Sequence, residues 1–111
     1  MNAIAEYVAG ELSRHLATEP GLDKVLKFDL GPDGIVVVDG TKKPNQVSNA
    51  DREADCTMGM VGEGLRKIVS GELDLSLGYL LYLRRLEGDR ALAMKIQPII
   101  RRMVGDKAKR P

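Results

Sequence analysis

The strongest constraint on the fold is a four-residue turn between two short runs of aliphatic residues. The turn is Gly-Pro-Asp-Gly at positions 31–34, and it separates residues 25–30 from residues 35–39. In the first run Leu26, Phe28 and Leu30 occupy every second position, which is the pattern of a strand with one buried face. The sequence therefore predicts a β-hairpin at this point in the chain.

The residues around this hairpin show helical spacing on one side and a mixture of patterns on the other. Upstream, Ile4, Val8, Leu12 and Leu16 repeat every four residues, which predicts an amphipathic helix over residues 3–18. Downstream, we expect a polar loop over 40–53 with room for a short strand at 46–48, and strands over 54–61 and 83–88. We also expect a short helix whose apolar spacing begins at Leu65 and which ends at Gly71, a helix over 75–82 capped by Asp74, and a helix over 92–104 with a kink or restart at Pro98. This order indicates an α+β fold with helices gathered on an antiparallel-rich sheet.

Composition narrows the classes of protein that this chain can be. Its 111 residues are enough for one domain, and 43% hydrophobic with 30% charged residues is typical of a globular chain. The net charge of +1 is far from the strongly basic balance of a nucleic-acid-binding protein. One cysteine excludes an internal disulfide and fits a reducing compartment, so the sequence predicts a cytoplasmic location.

Two further observations concern membranes. The longest strongly apolar run, residues 77–83, is far shorter than the roughly 20 residues that span a bilayer. The chain ends in a basic tail with Lys107, Lys109 and Arg110, which is typical of a solvated terminus. Transient contact with an anionic membrane is the alternative interpretation of this tail.

A search for catalytic or metal-binding patterns finds none. His15 is the only histidine, and Cys56 has no histidine or cationic partner near it in sequence. The carboxylates at 51, 53 and 55 do not match a calcium loop, and the glycines over 59–64 match neither phosphate-binding motif. The sequence therefore predicts a protein without enzymatic activity, cofactor or metal.

The positive feature is an excess of apolar residues in the second half of the chain. Residues 75–82 are apolar nearly all round, and a short helix of that kind is either deeply buried or faces a cavity. These residues, with those of the neighbouring elements, either fill the single core or line a cavity within it. Composition alone does not separate the two cases.

Four sequence blocks resemble the sterol carrier protein family. They are ADCTMGM at 54–60, IVSGEL at 68–73, LEGD at 86–89 and LAMKIQ at 92–97. In that family a strand of the first type precedes a short helix ending in a Ser/Thr-Gly turn, and a strand ending in Gly-Asp precedes an Ala-Met-Lys-Leu helix. The blocks stand in the family's order and spacing, and the resemblance covers residues 1–111 as a single domain.

The resemblance implies a five-stranded sheet covered on one side by helices and enclosing a hydrophobic tunnel. It implies non-catalytic binding, and transfer, of a lipid ligand: a fatty acid, a sterol or an acyl-CoA. The lipid-binding residues that it implies, together with Leu75 from the apolar helix, are Met58, Met60, Leu65, Ile68, Leu75, Tyr79, Leu80, Leu81, Tyr82, Arg84, Leu92 and Met94.

Some residues depart from the family pattern. Tyr82 stands where the family usually keeps glycine, and it would narrow the tunnel. Arg84 replaces an apolar strand residue, so that it either meets the head group of a ligand or lies in solvent on a shifted strand. Gly62 and Gly64 replace Ser, Asp or Glu, which weakens the start of their helix and makes it a candidate lid.

Two hypotheses therefore remain open. The first is a lipid carrier with an open cavity. The second is a closed-cavity accessory or scaffold subunit, or homodimer, that serves an enzyme of lipid or isoprenoid-quinone metabolism.

Overall fold

The computed structural model of the chain describes residues 2–108, and over that range it contains four α-helices and one five-stranded sheet. The helices are α1 (Ala3–Leu16), α2 (Gly62–Ser70), α3 (Leu75–Tyr82) and α4 (Arg90–Ala108), and the strands are β1 (Val25–Asp29), β2 (Ile35–Asp39), β3 (Gln46–Ser48), β4 (Cys56–Met60) and β5 (Leu83–Gly88). The predicted hairpin is confirmed: β1 and β2 pair antiparallel around a 3₁₀ turn at Gly31–Asp33.

The strand order is β3-β2-β1-β4-β5. Only β1 and β4 run parallel among the four pairs, so the antiparallel-rich α+β fold is confirmed. The parallel pair requires residues 49–55 to cross the outer face of the sheet, where Lys27 Nζ contacts Asp51 Oδ1 at 2.7 Å and Arg52 pairs with Asp39 at 3.1 Å. Val37, which pairs with Lys27, is only 2% exposed.

The main core lies on the other face of the sheet, against the helices. Leu26 and Phe28 of β1 point into it, as their alternation predicted, and meet the apolar stripe of α1. Val8, Leu12 and Leu16 of that stripe are each at most 1% exposed. Burial of this size is what holds a short amphipathic helix on a small sheet.

The end of α1 is held by a residue far away in sequence. Asn45 lies in the predicted polar loop, yet it is only 4% exposed. Its Nδ2 donates to the Leu16 carbonyl at 3.1 Å and to the carbonyls of Glu19 and Pro20, while its Oδ1 accepts from Leu22 N at 3.2 Å. One buried amide side chain therefore ties the last residue of α1 to the backbone of residues 19–22, which follow the helix.

The last helix differs from its prediction. It is continuous from Arg90 to Ala108, whereas the sequence predicted residues 92–104 with an interruption at Pro98. Pro98 is exposed, so the carbonyl that its missing N–H leaves unpaired faces solvent rather than the core. Of the basic tail, Lys109 and Arg110 lie outside the described residues. No helix within residues 2–108 combines the length and hydropathy needed to cross a bilayer.

Candidate functional site

The candidate site is built around α3, which packs between α2 and α4. Asp74 caps its first turn, as predicted, because Asp74 Oδ2 accepts from Ser76 N at 3.0 Å and Leu77 N at 3.2 Å. Gly78 is buried against α2, and a side chain there would overlap Ile68 Cδ1. The cap and this close approach fix the direction in which each side chain of α3 points.

Half of the predicted lipid-binding residues come together in the interior. These residues are at most 4% exposed, lie in one cluster beneath α2, α3 and α4, and are Met58, Met60, Leu65, Ile68, Leu75 and Leu92. Tyr79 and Tyr82 are half-buried and pack against the same cluster. The structure thus provides an apolar region in which strand and helix residues meet.

Four predicted residues lie on the surface instead. Leu80 is 80% exposed, Leu81 48% and Met94 70%, and Arg84 is also exposed. In this structure their side chains do not line the interior. For Leu80 and Leu81 the sequence contains no signal of this exposure, because a helix that is apolar on every side carries no periodicity to tell its buried face from its exposed one.

Tyr79 places a polar atom inside the apolar region. Its hydroxyl is buried and has no hydrogen-bond partner among the described residues. Burial raises the pKa of the Tyr79 phenol well above its usual value, and the nearby positive charge of Arg101 opposes this only in part. The group is therefore a neutral donor, and leaving it unpaired costs about 1–3 kcal/mol.

A groove of about 370 Å³ opens between the α2–α3 turn and α4. Its apolar lining residues are Ile68, Leu73, Leu75, Ile100 and Val104. Arg101 and Asp74 stand in the same lining, and Arg101 Nη2 donates to Ser76 Oγ at 2.8 Å, which links α4 to α3. The groove therefore combines an apolar floor with a guanidinium.

Arg101 was not among the predicted site residues. In sequence it is noticeable only as half of the basic pair Arg101–Arg102. The signal that could have found it is its place directly after Ile100, because this puts a cation at the border of the apolar face of α4.

Two departures from the family pattern compensate each other. The ring of Tyr82 lies where a side chain at position 64 would be, so any Cβ on Gly64 would overlap it. Gly64 is buried, and its missing side chain is what lets Tyr82 pack against α2. Both departures therefore belong to one packing contact.

Arg84 is displaced by an irregularity in the edge strand. Arg85 pairs with Gly59 and Leu83 pairs with Met60, so Arg84 is left as the extra residue of a β-bulge. This is the shifted strand with Arg84 in solvent that the sequence offered as one of two interpretations. Arg84 and Arg85 also border a second groove of about 410 Å³ at this end of the sheet.

The described residues give no sign of reactive groups in this region. Burial raises the pKa of the Cys56 thiol, which holds it in the protonated, unreactive form. Among residues 2–108 no three histidine, cysteine or carboxylate side chains cluster closely enough to hold a metal ion. The chemistry of the site is therefore that of apolar contact, one buried hydroxyl and one guanidinium.

Solved structures share this fold. Sterol carrier protein-2 from Aedes aegypti, described as a complex with the C16 fatty acid palmitate, matches with a TM-score of 0.67 at 20% identity, over 90% of this chain and 96% of that one. A structure described as UbiJ-SCP2 ubiquinone synthesis protein matches with a TM-score of 0.65 at 17% identity, over 91% and 96%. Sterol carrier protein domain 2 of Helicoverpa armigera matches with a TM-score of 0.59 at 20% identity, over 93% and 84%.

Sequence comparison gives a family as well as a fold. A search of curated proteins found no match. The model of the SCP-2 sterol transfer family, however, matches residues 8–101, from the middle of α1 to Arg101 in α4. The chain belongs to the SCP-2 sterol transfer family.

Proposed function

We propose that this chain binds a single-chain lipid, of the fatty-acid class, in the groove between the α2–α3 turn and α4, and transfers it without chemical change. The observation that carries the proposal is the groove with an apolar floor and Arg101 in its lining. Its volume of about 370 Å³ falls in the range of roughly 300–1,000 Å³ that is usual for ligand sites. Each CH₂ group moved there from water contributes about 0.8 kcal/mol.

The polar groups favour an anionic head group over a neutral one. A carboxylate beside Arg101 would accept a charge-assisted hydrogen bond, and such bonds contribute about 1.5–3 kcal/mol. The buried Tyr79 hydroxyl offers a second donor, deeper in the interior, to a carboxylate, a carbonyl or a sterol hydroxyl. The palmitate complex of the mosquito protein supports the fatty-acid class.

A titration of delipidated protein with palmitate and with hexadecanol tests the proposal. We expect saturable binding of palmitate, and about tenfold weaker binding in Arg101→Gln because the charge-assisted hydrogen bond is lost. Arg102→Gln is the matched control, since Arg102 pairs with Glu19 outside the groove. Hexadecanol has no carboxylate, so it should bind Arg101→Gln and the parent protein with the same affinity.

A second candidate function rests on Tyr82. Its ring fills the space beside Gly64, and this contact favours a closed interior. A chain with a closed interior would serve as an accessory or scaffold subunit of a lipid or isoprenoid-quinone pathway enzyme. The likeness to the structure described as a ubiquinone synthesis protein supports this alternative. Absence of palmitate binding, together with native mass spectra free of co-purified lipid, would reject the carrier and favour the accessory subunit.

The single domain over residues 1–111 and the cytoplasmic location remain predictions of the sequence. The proposal contains no catalytic step, cofactor or metal. A protein partner or homodimer is part of the second candidate only.

A further inference from the structure

The outer side of α3 is an apolar surface. Leu77, Leu80 and Leu81 are 45%, 80% and 48% exposed, and their spacing of three and four residues places them on one side of the helix. We call these three residues the leucine face. Large apolar side chains grouped in this way indicate a contact with another apolar phase.

Two arginines border the leucine face. Arg84 Nη1 donates to the Leu81 carbonyl at 2.9 Å, which holds its guanidinium at the C-terminal end of α3. Arg101 donates to Ser76 Oγ and so stands at the N-terminal end. Both hydrogen bonds go to neutral acceptors, and neither arginine forms an ion pair within the described part of the chain.

We propose that the leucine face docks on an anionic phospholipid bilayer. The leucines enter the boundary between head groups and acyl chains, and Arg84 and Arg101 meet the phosphates around them. Docking rests on the leucine face and its arginines alone, whereas its use in lipid delivery rests on the proposed function.

The same features argue against a protein as the partner that covers the leucine face. In a two-fold dimer through the leucine face, arginines that already lack a carboxylate would approach one another across a small interface. Three partly exposed leucines also offer far less than the roughly 800 Å² per partner of a stable protein interface. A bilayer supplies the apolar phase and the negative charge together.

Docking in this orientation leaves the groove beside the contact rather than within it. Leu75 lines the groove and Leu77 belongs to the leucine face, and residues two apart point to nearly opposite sides of a helix. Arg101 connects the two regions, because it lines the groove and donates to Ser76 Oγ next to the face.

Flotation with vesicles tests the docking directly. We expect the full chain to bind phosphatidylcholine vesicles that contain phosphatidylglycerol, and to bind pure phosphatidylcholine much more weakly. Leu80→Ser should weaken binding about tenfold, whereas Leu80→Met, which keeps the apolar surface, should retain it. Arg84→Gln should weaken binding about fivefold. Arg52→Gln removes the same charge from the opposite face of the sheet and should leave binding unchanged.

The outcomes separate this inference from the proposed function. Vesicle binding that survives Leu80→Ser, or that is absent from the parent protein, overturns the docking proposal. A dimer at the same concentration that Leu80→Ser dissociates would overturn it in favour of self-association. Palmitate titration of Leu80→Ser should match the parent protein, since Leu80 lies outside the groove, and a loss there would mean that the variant is damaged rather than undocked. Loss of palmitate binding in the parent protein would contradict only the proposed function.

Discussion

The helices α1 and α3 use their apolar residues in opposite ways. In α1 an apolar residue recurs every four positions, and the stripe is fully buried from Val8 to Leu16 and partly buried at Ile4. In α3 six of eight residues are apolar side chains, and only Leu75 of these is fully buried. The N-terminal end of α1 packs near the hairpin turn, while α3 leads into the edge strand β5.

The comparison shows how the spacing of apolar residues along a helix relates to their burial. A stripe assigns each apolar residue to the core, so α1 leaves little apolar surface for another purpose. A helix that is apolar on all sides supplies more apolar surface than the core takes up. In α3 the surplus remains as the leucine face and as the half-buried Tyr79 and Tyr82.

The largest expected effect compares one substitution in the two helices. Leu12→Ala in α1 should lower the free energy of unfolding by about 3 kcal/mol, because it leaves a cavity at a residue that is 1% exposed. Leu80→Ala in α3 should change it by less than about 0.5 kcal/mol. Urea denaturation of both variants measures the two values. Similar losses at the two positions would contradict the distinction between the helices.

The next effect concerns how the end of α1 is held. Asn45→Ala should destabilise the protein by about 2 kcal/mol, because it removes a buried side chain that donates to the carbonyl of Leu16 at the end of α1 and to those of Glu19 and Pro20 just after it. Asn49→Ala is the control, since Asn49 also donates to an α1 carbonyl, that of Ala5, but from an exposed position. Its cost should be at most about 1 kcal/mol. Equal costs would mean that burial of Asn45 adds nothing.

A third measurement tests the contact between α2 and the end of α3. Gly64→Ala should destabilise the protein by about 2 kcal/mol, because the new methyl group overlaps Tyr82. In a Tyr82→Gly background, which removes the ring and also the Cβ that would lie 2.5 Å from the new methyl group, the same change should instead stabilise by about 0.5 kcal/mol, since alanine favours a helix over glycine. A double-mutant cycle in urea reads the coupling, and additive effects would show that the two residues do not share this space.

The smallest expected effect lies at acid pH. The Lys24 side chain, with the backbone N–H groups of Ala91 and Leu92, holds the pKa of Asp89 below its usual value. A group with a lowered folded-state pKa stabilises the protein above its unfolded-state pKa, and that stabilisation is lost as pH falls through the folded-state pKa. The free energy of unfolding should therefore decline below about pH 4.

Asp89→Asn isolates the charge, because asparagine remains a good cap for the start of α4. The variant should show a shallower decline in stability between about pH 4 and pH 2 than the parent protein. Urea midpoints at a series of pH values provide the measurement, and identical slopes in the two proteins would reject Asp89 as a contributor.

The sequence predicted elements whose signal is local. The hairpin depended on Gly-Pro-Asp-Gly, the start of α3 on Asp74, and the end of α2 on Gly71, which adopts φ of 88°. The apolar spacing of α2 is visible only from Leu65 onward, whereas the helix begins at Gly62, and its first turn is weakly marked in the sequence because glycine is a poor helix former.

What the sequence could not predict depends on contacts between distant residues. The parallel pairing of β1 with β4, the burial of Asn45 and the register that leaves Arg84 in a bulge exist only once the sheet has formed. The exposure of Leu80 and Leu81 has the same origin, because packing against α2 decides which side of α3 is covered, and the exposure of Met94 depends in the same way on which side of α4 packs on the sheet. Arg101 lines the groove only because α4 packs against the α2–α3 turn.

The direct junction between α3 and β5 has a mechanical consequence. The helix ends at Tyr82 and the strand begins at Leu83, with no loop between them to absorb a rotation. A tilt of α3 therefore passes into the edge of the sheet, and the bulge at Arg84 is the nearest point that can yield. Opening of the interior should therefore be measurable as faster amide hydrogen exchange in β5, several residues away from the leucine face.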